Sequence, residues 1–240
     1  MHSDDEDKID LLDHGSVRLV DFMGSDLSIV RSARVSYDAE WRTGEDSGSD
    51  KKLIDYLWRK GHTTPFESVT FTFEVKAPIF IFRQWHRHRM QSYNETSARY
   101  TELPSRYYLP EPEIIGKQSK KNKQQRIMEE LTPEELNEAQ KQINLADRSM
   151  ADSFNTYRTL LDVGWPRELA RSVLPVATYS HMFTTLNLLN LLKFLTLRAD
   201  EAHAQYEIVV YAKAMIELAR KVTPVAIETW EKYKQQFVEK

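Results

Sequence analysis

Between Arg83 and Tyr100 the chain gathers Arg83, His86, Arg87, His88, Arg89 and Arg99 against a single carboxylate, Glu95. Arginine is always charged and offers paired donors whose spacing matches phosphate oxygens. The run from Ile79 to Met90 reads as helical, which puts Arg83 and Arg87 four apart on one face. Such a like-charge pair is unfavourable by roughly 0.2–0.5 kcal/mol unless an anion sits between its members. Gln84, Ser92, Asn94 and Ser97 add neutral donors able to orient a base or a sugar. A nucleotide therefore suits this inventory better than inorganic phosphate. Three other readings compete. The stretch could be a solvated basic face whose charges meet acids elsewhere. His86, His88 and Glu95 could hold a metal, but residues two apart on a helix point about 200° away from each other, so no metal is expected. Trp85, Tyr93, Tyr100, Tyr107 and Tyr108 interleave with the arginines as they would in a basic, aromatic-rich RNA-binding module.

The remaining composition narrows the choice. Among 240 residues, 33 Lys plus Arg face 36 Asp plus Glu, a formal charge of -3, so any anion site must be local. There is no cysteine, which removes disulfides, iron–sulfur clusters, zinc–thiolate sites and thiol nucleophiles. The seven glycines form neither GxGxxG nor GxxxxGK, excluding a dinucleotide fingerprint and a P-loop. No apolar run is long enough to span a membrane, and the first ten residues are acidic, so a cytoplasmic protein without a membrane partner is expected.

Elements that must position these residues can be read from periodicity. Val69 to Lys76 alternates Val69, Phe71, Phe73 and Val75 with Thr70, Thr72, Glu74 and Lys76, the pattern of a half-buried strand. Further strand character is expected near 105–109. Thr64-Pro65-Phe66-Glu67 and Thr132-Pro133-Glu134-Glu135 carry capping-box signatures, the second opening a long helix that Gly164 stops. Pro166 to Leu174, Ser180 to Leu197, Asp200 to Val222 and Pro224 to Phe237 also read as helices. Strands in the first half and a largely helical second half give an α+β class with a mixed sheet. Residues 1–10 read as a disordered tail, 11–240 as one domain, and Lys117 to Arg126, near the centre of a basic insertion at 116–130, as an exposed loop.

Arg87 to Tyr100 reads R-H-R-M-Q-S-Y-N-E-T-S-A-R-Y. This resembles the flavin-dependent thymidylate synthases (the ThyX family), whose signature R-H-R-x-x-S-x-N-E-x-S-x-R-Y it matches at every fixed position. Ala33 to Tyr37, Gly61 to Glu67, Lys76 to Trp85, Gly164 to Pro175 and Asn187 to Glu207, which contains FLTLRADEAHAQYE, resemble the same family. The resemblance covers most of the chain outside the termini and the 116–130 insertion. It implies a ThyX-type fold in an obligate homotetramer with shared active sites. It also implies conversion of dUMP to dTMP with methylenetetrahydrofolate as carbon donor and NADPH as reductant through FAD. In that chemistry a hydride from reduced flavin activates the pyrimidine, so a chain without cysteine can carry it out with no enzymic nucleophile.

The resemblance further implies residue roles. His62, Thr64, Arg87, His88, Arg89, Met90, Glu95, Asn187, Leu188 and Leu189 would lie along the flavin. Lys193 stands where Asn or His is expected in that contact, and His203 would be a further flavin neighbour. Gln84, Trp85, His86, Arg87, Glu95, Thr96, Ser97, Ala98, Arg99, Arg171 and Arg198 would hold dUMP. Arg198 is the expected catalytic group, a guanidinium facing uracil N3 and O4 that stabilises negative charge as N3 ionises. Asn187 and Arg198, eleven residues apart, would share one helix face to within about 20°. Ser97 lies among arginines and amides with no base and orienting acid beside it, so it reads as a ligand rather than a nucleophile. A rival that keeps FAD is a reductase of another substrate.

Overall fold

The structure, a computed structural model, describes residues 7–120 and 126–234. Strands β1 (Lys8–Leu11), β2 (Gly15–Met23), β3 (Thr70–Pro78), β4 (Ser92–Glu95) and β7 (Tyr179–Asn187) form one antiparallel sheet in the order β1-β2-β3-β7-β4. A separate ribbon pairs β5 (Lys117–Gln118) with β6 (Arg126–Ile127). The helices are α1 (Asp26–Arg34), α2 (Ser47–Arg59), α3 (Ile79–Trp85), α4 (Pro133–Asp162), α5 (Arg167–Ala170), α6 (Leu188–Arg198), α7 (Tyr206–Val222) and α8 (Pro224–Tyr233).

β3 has the phase its alternation predicts: Val69, Phe71, Phe73 and Val75 are fully buried. Opposite them on β7 stand Leu186, Thr184 and Met182, so two adjacent strands present one apolar face. On the other face Thr72 and Thr185 share a hydroxyl hydrogen bond of 3.0 Å, and Glu74 accepts from Arg18 Nε at 2.6 Å. Helices cover the apolar face. α6 buries Leu188, Leu191, Leu192, Phe194 and Leu195, as a helix enclosed on most sides must. The Asp26 carboxylate of α1 accepts from the first free amides of α8, Val225 N at 2.9 Å and Ala226 N at 3.0 Å, satisfying donors that a helix start leaves orphaned. Among the described residues no helix is long and apolar enough to cross a membrane.

Several sequence expectations are corrected, the first being the mixed sheet: every strand pairing among the described residues is antiparallel. Tyr179–Asn187 is a strand, so Ser180 to Leu197 is not one helix and strands are not confined to the first half. The helix expected from Asp200 begins only at Tyr206. Thr132 and Glu135 form their reciprocal capping box, whereas Thr64–Ser68 is a short 3₁₀ turn with no side-chain cap. The strand expected near 105–109 is reduced to a single bridge between Tyr107 and Thr178. Residues 8–10 belong to β1 and are not part of a tail; residues 1–6 and 121–125 lie outside the described residues, as does the end of the last expected helix beyond 234. The insertion is not a plain loop either, since its flanks pair as β5 and β6.

The β3 face is the centre of the core, so Phe73→Ala should lower unfolding free energy by about 3–5 kcal/mol. Lys76→Ala, on the exposed face of the same strand, should stay within about 0.5 kcal/mol. Urea unfolding of the two variants checks the assigned faces.

Candidate active site

The basic stretch begins in α3, which is docked by Ile79 N donating to Thr178 O and Phe80 N donating to Val176 O, both at 3.0 Å. Ile81, Phe82 and Trp85 bury one side of this helix, and Arg83 is exposed. The helix ends at Trp85: His86 caps it and the chain turns, so Arg87 to Met90 are not helical. Tyr93, arriving on β4, donates at 2.6 Å to His88 O and reaches, at 3.3 Å, Trp85 O, which also accepts from His88 N. Burial pushes the Tyr93 hydroxyl up to about 12, which keeps it a donor.

β4 then fixes which way the signature faces. Tyr93 and Glu95 pair with Thr184 and Met182 on the inner side, and Glu95 Oε1 accepts from Ser180 Oγ at 2.7 Å. Ser92 and Asn94 pair with Thr185 and Phe183 and share the opposite face, so they are not neighbours of Glu95 in the site. Next to β4 lies a cavity of about 640 Å³. Of the residues expected to hold nucleotide, His86, Glu95, Thr96, Ser97, Ala98 and Arg171 line it, and Arg83 and Ser180 join them. Arg171 donates through Nε to Glu168 O at 3.3 Å, and Ser97 Oγ accepts from Arg99 N at 3.3 Å.

A second group gathers at the end of α6. Arg198 Nε donates to His88 Nε2 at 2.9 Å and its NH2 donates to Gln84 O at 3.3 Å. Burial and the Arg198 charge depress His88 to about 4, so the ring is a neutral acceptor at Nε2 with its proton on Nδ1. Burial and nearby Arg87 lower Arg198 as well. Gln84 Nε2 donates to Gln205 Oε1.

The expected flavin residues divide. Arg87, Arg89 and Met90 are exposed in the turn after α3. His62, stacked on Tyr56, and Thr64 are exposed near the start of α6, where Asn187 caps the helix by accepting from Asn190 N at 3.0 Å. Asn187 is thus the cap and Arg198 the last residue of α6, at opposite ends of one helix. Lys193 is exposed on α6; Leu189 is 5% exposed. Leu188 is fully buried and its amide donates to Val69 O, so neither leucine is open to a ligand. His203 is exposed and paired with Asp200 at 2.7 Å. Trp85 is fully buried, packed on Phe194 and bonded to Gln91, so its side chain offers a nucleotide no surface. Arg99 is exposed beside Tyr100.

Sequence reasoning missed Ser180 and Gln205. Ser180 sat inside a segment read as helix; the alternating burial of β7 was masked by the leucine run after it. Gln205 occupies the N-cap position of α7, just before an amphipathic run, and that position was its only signal. His86 and His88 are not on a helix, so helical geometry is not what keeps them from sharing a metal. His86 packs on Phe82 and Tyr93, and His88 serves Arg198. Among the described residues no three His, Cys, Asp or Glu groups are placed to share an ion.

The family described as thymidylate synthase complementing protein matches residues 18–225. A flavin-dependent thymidylate synthase of Thermotoga neapolitana is 44% identical over 94% of this chain and 95% of its own. One of Treponema denticola is 46% identical over 95% of this chain and 83% of its own. A UMP/dUMP methylase, PolB, of Streptomyces cacaoi, solved with 5-Br dUMP, superposes with a TM-score of 0.81 at 38% identity, over 93% of this chain and 97% of that one. The chain belongs to the flavin-dependent thymidylate synthase family.

In flavin-dependent thymidylate synthase terms, the signature is therefore three pieces of structure, a helix end, a turn and an edge strand, held together by Tyr93 and Glu95. Its neutral His88 carries a pH signature. The unfolded ring takes up a proton near pH 6.5 and the folded ring only near 4, so between those values the unfolded state binds more protons. Stability should be complete above pH 6.5 and fall on acidification toward pH 4. His88→Asn should flatten that part of the profile, which thermal melts between pH 4 and 8 would show.

Proposed function

We propose that this chain methylates dUMP to dTMP, taking its carbon from methylenetetrahydrofolate and its electrons from NADPH through FAD, at cytoplasmic active sites shared within a homotetramer. The observation that carries the reading is a set of guanidinium groups without counter-ions. The guanidinium groups of Arg83, Arg87 and Arg89 make no hydrogen bond or ion pair among the described residues; Arg83 lines the cavity, and Arg87 and Arg89 stand exposed in the turn that follows its helix. Folding leaves these charges to be neutralised by something that binds.

The chain's residues divide the work. Arg83 and Arg171, at the cavity wall, suit a phosphate, and Ser97, Thr96 and Glu95 supply short polar contacts for the sugar and base. Arg198 has five N–H donors and spends two on His88 and Gln84, leaving three for a pyrimidine whose ring becomes negative. Ser97 has no base within its hydrogen-bond set, so it binds and does not attack. FAD fits the donors at hand: exposed Arg87, Arg89, Lys193, His62 and Thr64 would hold its phosphates and polar edge, with His88, Met90, Glu95, Asn187 and His203 as further candidate contacts. When bound it supplies the reducing electrons of the reaction.

Shared sites are supported by distance. The nucleotide cavity reaches Ser180 at one end of β7, and His62, Thr64 and Asn187 lie toward the other, seven residues and about 23 Å away along an extended strand. A second chain laid across the first would bring the two ends into one site. The RNA-binding alternative loses its stacking platform: Trp85 and Tyr108 are buried, Tyr93 caps α3, and Tyr107 packs on Phe154, leaving Tyr100 alone exposed at 80%.

The purified protein should be yellow and should release tritium from C5-labelled dUMP only when methylenetetrahydrofolate is present. UMP belongs in the same assay, because the Streptomyces cacaoi methylase is named for both nucleotides. Arg198→Ala should keep its flavin absorbance and lose about 100-fold or more in kcat; near-normal turnover would remove the catalytic assignment. Ser97→Ala should retain substantial turnover with a raised KM for dUMP, whereas complete loss with intact flavin and dUMP binding would restore the nucleophile.

A further inference from the structure

Glu207, in the first turn of α7, is 2% exposed, and nothing in the proposed chemistry uses it. Donors converge on its carboxylate: Arg126 NH2 bonds both oxygens, Tyr108 OH donates to Oε1 at 3.2 Å, and Gln205 Nε2 donates to Oε2 at 2.8 Å. A carboxylate removed from water depends on such donors, and losing one leaves the charge uncompensated. Arg126 comes from β6, at the edge of the basic insertion. It is anchored by NH1 donating to Ile114 O at 2.5 Å, and its guanidinium lies 5.8 Å from the centre of the Tyr206 ring. A cavity of about 530 Å³ opens beside this pair, between the ribbon and α7.

The negative charge has a consequence for the amides next to it. An ionised carboxylate only accepts, so Gln205 must turn its NH2 toward Glu207, and its oxygen is then free to accept from Gln84 Nε2. Gln84 in turn offers its backbone oxygen to Arg198, which also donates to His88. Arg126, Glu207, Gln205 and the Gln84 side chain thus form a hydrogen-bonded path from β6 to α3, oriented by one buried charge, and the backbone oxygen of the same Gln84 accepts from Arg198.

We propose that Arg126 and Glu207 are positioning residues for Arg198, so that β6 acts as a clamp on the active site through Gln205 and Gln84. This rests on the reading of Arg198 as the group that stabilises charge on the pyrimidine. The clamp keeps the guanidinium where it is needed when the ring ionises, and binding of the nucleotide phosphate falls to residues outside the path.

The test uses the full-length flavin-loaded enzyme and three variants. Gln205→Met cuts the path in its middle with little change of volume, Arg126→Gln removes the clamp's charge, and Arg126→Lys preserves it. The first two should lose about 10-fold to 100-fold in kcat while the KM for dUMP stays within about threefold, and Arg126→Lys should recover most of the rate. A second readout needs no turnover. In protein labelled with ¹⁵N-histidine, His88 should titrate near 4 in the wild type and higher in Gln205→Met as the Arg198 charge leaves it, with burial still holding it below its ordinary value. An unmoved His88 titration in Gln205→Met, or unchanged kcat in both Gln205→Met and Arg126→Gln, overturns the clamp. An inactive wild type whose His88 still responds to Gln205→Met would instead count against the functional reading and leave the clamp standing.

Discussion

Guanidinium groups that no acid pairs with among the described residues are the constraint around which the site is built. Arg83 and Arg87 flank a helix end, Arg89 comes next in the turn, and burial together with the field of Arg87 lowers the proton affinity of Arg198. Such an arrangement works against folding and has to be held by interactions elsewhere. Phe82 and Trp85 anchor the helix in the core, Tyr93 ties the turn, and the pairing of β4 with β7 fixes the path of the chain from Ser92 to Glu95. The cost is of the kind that active sites carry when charge is reserved for a ligand.

Neutral groups are as important as charged ones here. His88 receives Arg198 only while it lacks a second proton, and burial keeps it in that state at ordinary pH. The guanidinium is thereby oriented by an uncharged acceptor instead of being neutralised by a carboxylate, so its positive charge remains whole. The carboxylate that does act, Glu207, is set back behind two amides, where it can orient without cancelling.

Much of this was legible in the chain, and the failures have identifiable causes. β3 announces itself because one of its faces is entirely apolar, and α4 because its cap and its period agree. β7 does not, because Thr184 and Ser180 occupy inward positions that alternation alone would mark as solvent-facing, and the leucines of α6 extend a helical pattern backward. The clustering of the arginines was readable from the sequence, and their types are what suggests an anion site. Which of their neighbours point with them was not, since Ser92 and Asn94 are turned away by the strand register and Trp85 by its place on the buried side of α3. The role of Arg126 was invisible for a different reason: its partner lies 81 positions away, and only the fold brings the two together.

The central claim is that these arginines are unpaired until ligands arrive, and a melting experiment on the flavin-free protein addresses it most directly. Arg87→Gln removes one of the repelling charges. The flavin-free variant should melt at a higher temperature than the flavin-free wild type, and FAD with dUMP should raise the wild type by more than the variant. A flavin-free Arg87→Gln protein that melts lower than the wild type would mean that the guanidinium is already balanced within the fold, and the account would be wrong.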